Sequence, residues 1–90
     1  MMPITQLRKK IDTIDRQLIK LLAKRFALAK KIGGLKKKQS RAISDLAREK
    51  ELALLHASFE KNHTLSAVFT KSLWKLILRE SKRLQGQNNP

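Results

Sequence analysis

An all-α fold is predicted by three features of this sequence: a residue mix that favours helix, a near absence of helix breakers, and a heptad seam through its first third. Leu, Ala, Lys, Arg and Ile dominate, with a single Val and no Tyr, so little of the chain asks for a strand. There are three Gly and two Pro, and the prolines, Pro3 and Pro90, lie at the ends. Ninety residues support one domain, taken as residues 1–90. A chain this short gains a modest core by itself, and oligomerisation is one remedy.

The first element is the clearest. Ile4, Leu7, Ile11, Ile14, Leu18, Leu21, Arg25, Leu28, Ile32 and Leu35 follow one another in alternating steps of three and four, a seam of the coiled-coil kind. A helix over about 4–38 would be ~52 Å long at ~1.5 Å per residue. A compact domain of this size has a radius of gyration of only ~12 Å. Such a helix outruns its own domain, so it finds a partner chain or leaves its seam wet. Gly33-Gly34 late in this helix marks either a bend or the close approach of another backbone or ligand.

Gln39 to Ser44 reads as a connection, with Ser44 the expected N-cap and Asp45 in the favourable first turn. A second helix is expected over about 45–60, with Leu46, Leu52, Leu55 and Phe59 as core candidates. Lys61-Asn62-His63-Thr64 is expected to be a turn. Ser66 is a candidate cap for a third helix, over about 66–84, whose apolar stripe is Phe69, Leu73, Leu76, Ile77 and Leu84. The tail, residues 86–90, is expected to fray.

Several polar residues break these patterns. Arg25 interrupts the seam. It either fixes register between chains or needs an anionic partner that Leu21 and Leu28 cannot provide. Lys36 lies eleven residues on, within ~20° of Arg25 around the helix, so the two cations share a face. Arg8 lies ~25 Å before Arg25 and ~100° away, too far to reach the same small ligand along one straight helix; alone it reads as a solvated charge. Asp45, Arg48 and Glu49 share one helix face, as do Ser81 and Gln85. Taken singly, these are an exposed ion-pair cluster and a tolerated small polar residue beside a fraying end.

The balance of 21 Lys+Arg against 7 Asp+Glu, a net charge of +14, attracts anions of any size. There is no Cys, so disulfides and thiolate metal sites are excluded. No stretch approaches the ~20 apolar residues of a membrane span and no signal peptide is apparent, so the expected location is the cytoplasm. His56 and His63 lack metal-pair spacing and read as surface or partly buried structural residues. There is no Gly-rich phosphate loop and no Ser–His–Asp set. An enzyme built from this inventory uses neither a nucleophile nor a metal.

Taken together, Leu7-Arg8-x-x-Ile11-Asp12-x-x-Asp15-x-x-Leu18-Ile19-x-Leu21-Leu22-Ala23-x-Arg25, Ile32-Gly33-x-x-Lys36, Asp45-x-x-Arg48-Glu49 and Glu80-Ser81-x-x-x-Gln85 resemble the small all-helical chorismate mutases over about residues 4–85. The resemblance implies a three-helix chain whose long first helix intertwines two copies into a homodimer, with chorismate as substrate and no cofactor. It implies that Arg25, and Arg8 from the partner chain, clamp the two carboxylates. Lys36 and Gln85 would donate to the ether oxygen, Glu49 accept from the substrate hydroxyl, and Arg48 reach a carboxylate, while Asp45 and Ser81 complete the pocket. A Claisen rearrangement of chorismate to prephenate, a step of phenylalanine and tyrosine biosynthesis, suits such an inventory: it needs a held conformer and fixed cations at the breaking C–O bond. The competing readings are an isochorismate pyruvate lyase of the same fold, a docking subunit whose activity depends on another enzyme, and a basic helical nucleic-acid-binding module. The last is disfavoured because the cations are spread over all three helices and base-stacking aromatics are few.

Overall fold

Residues 3–41 and 45–86 are described by a computed structural model of the chain. They form three helices: α1 (Ile4–Lys38), α2 (Leu46–His63) and α3 (Ala67–Gly86). α3 is the middle element, packed against α1 on one side and α2 on the other. The chain measures 58 × 29 × 15 Å with a radius of gyration of 16.6 Å, well above the ~12 Å of a compact chain of this size. The excess is the N-terminal half of α1, which projects beyond α2 and α3.

α1 occupies the range that the seam predicts and runs unbroken through Gly33-Gly34. It stops in a Schellman arrangement: Ser40 takes φ 55°, its N–H donates to the Lys37 carbonyl at 3.1 Å, and the Arg41 N–H donates to the Lys36 carbonyl at 2.7 Å. Lys36, Lys37 and Lys38 in this last turn also favour the negative end of the helix dipole.

α2 departs from expectation at both ends. Its N-cap is Asp45, whose Oδ1 accepts from the Arg48 N–H at 3.1 Å; Ser44 lies outside the described residues. At the other end, residues 61–63 continue the helix instead of turning, because nothing there breaks it. Thr64 ends it at φ 53°, in the left-handed region that a β-branched residue seldom enters. α3 is capped at Ser66, where the Phe69 N–H donates to the Ser66 hydroxyl at 3.3 Å, and it reaches Gly86, two residues beyond the expected end. Residues 87–90 lie outside the described region.

The core is small, and much of it is not the apolar stripe that periodicity picks out. Buried are Ala29, Leu52, Ile77, His56, Thr70 and Ser81. Every apolar seam residue of α1, from Ile4 to Leu35, is exposed. α1 instead turns Leu22, Phe26, Ala29 and Gly33 inward, a second 4-3-4 row about 100° from the seam. Of the expected core, Leu46, Leu55, Phe59, Phe69 and Leu76 are exposed as well. No described helix is long and apolar enough to cross a membrane.

Candidate active site

Because α3 separates the C-terminal half of α1 from α2, those two helices face each other across a gap. A cavity of about 290 Å³ fills it, at the small end of the range of ligand pockets. Its charged and polar walls are Arg25 and Lys36 from α1, Asp45, Arg48 and Glu49 from the start of α2, and Ser81, Lys82 and Gln85 from α3. Leu28, Ala29, Ile32, Leu52 and Leu78 supply the apolar remainder. Seven of the eight residues singled out in the sequence therefore share one cavity. The eighth, Arg8, is exposed on the projecting half of α1 and does not line it.

The α1–α3 contact sets the geometry. A Cβ at Gly33 would lie 2.8 Å from the Gln85 carbonyl carbon and nearer still to its Cα and oxygen. Gly33 thus marks a close backbone approach rather than a bend. That approach brings Gln85 to Lys36, whose Nζ donates to Gln85 Oε1 at 3.2 Å. An amide whose oxygen is so engaged presents its nitrogen as a donor. A turn and more away, Arg25 Nη1 donates to Ser81 Oγ at 2.5 Å, while the Ser81 hydroxyl donates to the Ile77 carbonyl at 2.9 Å. Ser81, set on the apolar stripe, is buried and holds Arg25 against the cavity wall.

The α2 side has separate restraints. Glu49 pairs with Lys82 at 2.5 Å. Arg48 pairs with Glu51 at 3.1 Å on the exposed rim, a contact of small energetic value. Asp45 spends one carboxylate oxygen on the helix cap. Four cations against two carboxylates give the cavity a formal charge of +2. Burial, and then the nearby Arg48, lower the pKa of Arg25 from its ordinary value; an arginine remains charged regardless.

Behind Arg25 stands an aromatic stack that sequence inspection did not single out. The Arg25 Cζ lies 5.9 Å from the Trp74 ring centroid. On Trp74 the buried His56 ring stacks at 3.6 Å and 3°. His56, expected at the surface or partly buried, is buried. Burial first, then Arg25 and Arg48, hold its pKa below the usual 6.5, against a smaller upward pull from Glu60. Lys82 was also missed. Its signal was available: it lies four residues after Leu78 and three before Gln85, on the face they share.

The chorismate mutase type II family matches residues 7–86. A chorismate mutase of Methanocaldococcus jannaschii is 31% identical over 84 residues, covering 93% of this chain and 85% of that protein. The bifunctional chorismate mutase/prephenate dehydratase of Escherichia coli K12 is 35% identical over 79 residues, 88% of this chain. Its counterpart from Buchnera aphidicola (Acyrthosiphon pisum strain) is 35% identical over 78 residues, 87% of this chain. The chain spans 20% of the length of each of these two bifunctional relatives. With the pattern of charged residues gathered in one cavity and the match running through all three helices, this chain belongs to the chorismate mutase type II family.

Proposed function

We propose that the chain catalyses the rearrangement of chorismate to prephenate, in a cavity that a second copy of the chain completes. The observation that carries the reading is the convergence of Arg25, Lys36 and Gln85 on one small cavity of net positive charge. Chorismate is a dianion, and its rearrangement breaks a C–O bond as a C–C bond forms, with negative charge growing on the ether oxygen. Arg25 binds one carboxylate through its planar fork. Lys36 and the Gln85 amide donate to the ether oxygen, fixed in advance of the charge that they stabilise. Glu49, held by Lys82, accepts from the substrate hydroxyl. Arg48 swings from Glu51 to a carboxylate at the rim. Asp45 and Ser81 keep α2 and Arg25 in place. The cavity favours the compact diaxial conformer in which the reacting carbons meet, a proximity effect.

The second copy enters through the seam. Nine large apolar residues, Ile4 to Leu35, stand exposed along one face of α1. Isolated soluble chains rarely leave so long an apolar stripe in water, and burying each such residue contributes about 1.5–3 kcal/mol. An antiparallel α1 from a second copy would cover the seam and return its own Arg8 to the mouth of this cavity, supplying the second carboxylate clamp. Refolding a mixture of two inactive variants, Arg8→Ala and Arg25→Ala, tests this. Half the dimers are then mixed and carry one intact site of two, so about a quarter of normal activity returns. No recovery, with both variants dimeric and exchanging, refutes the shared site.

The activity itself is tested by following loss of chorismate absorbance and identifying prephenate as the product. Undiminished chorismate rejects the reading. Release of pyruvate from isochorismate, with chorismate untouched, replaces it with the lyase.

A further inference from the structure

We propose that Trp74 is a positioning residue for Arg25, with His56 as its backing, so that an aromatic stack outside the cavity fixes the guanidinium inside it. The inference rests on the reading of Arg25 as the carboxylate clamp. Neither Trp74 nor His56 lines the candidate active site. Both line a separate hollow of about 310 Å³ between α2 and α3. Of the cavity's residues, Arg25 is the one whose guanidinium lies over the Trp74 ring.

Arg25 has a long, flexible side chain, and its hydrogen bond to Ser81 Oγ leaves the guanidinium plane able to pivot. The Trp74 face closes that freedom. Its distance to the Arg25 Cζ, 5.9 Å, lies within cation–π range, and indole is the best of the aromatic faces for this interaction. The indole in turn is held: His56 stacks on it almost parallel, and Nε1 is buried with no hydrogen-bond partner among the described residues. With no hydrogen bond from Nε1–H, the ring acts on Arg25 through its face. His56 of α2 thus stacks on Trp74 of α3, and Arg25 of α1 lies over the Trp74 ring.

The test is a double-mutant cycle on kcat/KM, with Trp74→Leu and Arg25→Lys singly and together. Lysine keeps the charge but cannot stack as a plane. Trp74→Leu should lower kcat/KM about 10-fold, at a cation–π strength of roughly 1.4 kcal/mol. Trp74→Phe, which retains an aromatic face, should lower it only about threefold. In the Arg25→Lys background the further loss from Trp74→Leu should shrink to less than about threefold, because the partner it positions is gone. An equal loss in both backgrounds, or none, overturns the proposal. If Trp74→Leu unfolds, Trp74→Phe carries the same cycle. A second readout needs no turnover: the Arg25 Nε–H resonance in a ¹⁵N spectrum, assigned by its absence in Arg25→Lys. It should be sharp and slowly exchanging in the unmodified protein and in Trp74→Phe, and lost to exchange in His56→Leu, which removes the backing. A signal unchanged in His56→Leu overturns the proposal. A protein inactive on chorismate but with the expected resonance behaviour refutes the mutase reading and leaves the stack standing.

Discussion

The two halves of α1 are one continuous helix and live in different surroundings. From Ile4 to Leu21 every residue is exposed, and among the described residues nothing packs over that face. From Leu22 to Lys38 the helix buries Ala29 and Gly33 against α3 and lends Arg25 and Lys36 to the cavity. The N-terminal half carries the strongest periodic signal in the sequence and has no place in the chain's own core. The C-terminal half carries two glycines and an arginine where a periodic reading wants leucine, and it makes the tertiary contacts. Amphipathic periodicity reports that a face will be buried. It does not report whether the partner is the same chain.

The largest effect is expected from charges placed in the seam. Ile14→Glu with Leu18→Glu places two charges on the projecting half, away from every residue of the cavity. If that half meets a second copy, sedimentation should show a monomer and kcat/KM should fall by more than ~10²-fold, the scale for losing a preorganised charged group. A monomer of normal activity would mean that the projecting half is dispensable and that the site is complete within one chain.

The packed half is probed by Gly33→Ala. Alanine is the better helix former by up to ~1 kcal/mol, so a helix with nothing beside it would be stabilised. Here the new Cβ meets the Gln85 backbone. Overpacking costs about 1–3 kcal/mol, and relief comes from moving the last turn of α3 away from Lys36. Thermal unfolding should shift down, and kcat/KM should drop about 10-fold with little change in helix content by circular dichroism. A higher melting temperature with unchanged kinetics would show that the close approach is not what sets Gln85.

The smallest effect is expected from pH. His56 faces Arg25 of α1, Arg48, Glu49 and Glu60 of α2, and Lys71 and Lys75 of α3. Its pKa in the folded chain lies below the ordinary 6.5. The unfolded chain therefore takes up the proton first as pH falls. The stability contributed by neutral His56 is complete above about pH 6.5 and is lost as pH drops from there toward the folded value. Melting temperatures between pH 7.5 and 5.5 should fall by a few degrees in the unmodified protein. His56→Phe, which keeps a ring on Trp74, should flatten that fall. Identical slopes would show that His56 does not govern the packed half.

Much of the fold was legible because helix formation is decided locally. Scarce breakers and a long seam are enough to give α1 from Ile4 to Lys38, and the residue spacing on α1 and α2 is enough to align Arg25 with Lys36 and Asp45 with Arg48 and Glu49. Helix ends were read less well. Asp45, expected in the first turn, is the cap of α2, and the helix runs on through residue 63, because a polar stretch without Gly or Pro does not stop a helix by itself. The core was read least well. Leu46 and Leu76 are exposed while His56, Thr70 and Ser81 are buried, since those sites are chosen by which helix faces meet and by which polar groups find hydrogen bonds there.

Residue order alone specifies a basic, all-helical chain with one helix too long for its own domain, and of the eight site residues it singles out, seven share a cavity. Helix packing adds that α3 stands between the other two helices, that Gly33 sits against Gln85, that Lys82 pairs with Glu49, and that Trp74 lies beside Arg25 with His56 stacked on it. The division has one physical cause. Helical periodicity is set by contacts three and four residues apart, whereas a site is set by contacts tens of residues apart, such as the 56 residues between Arg25 and Ser81, for which one chain's sequence carries no direct record of register.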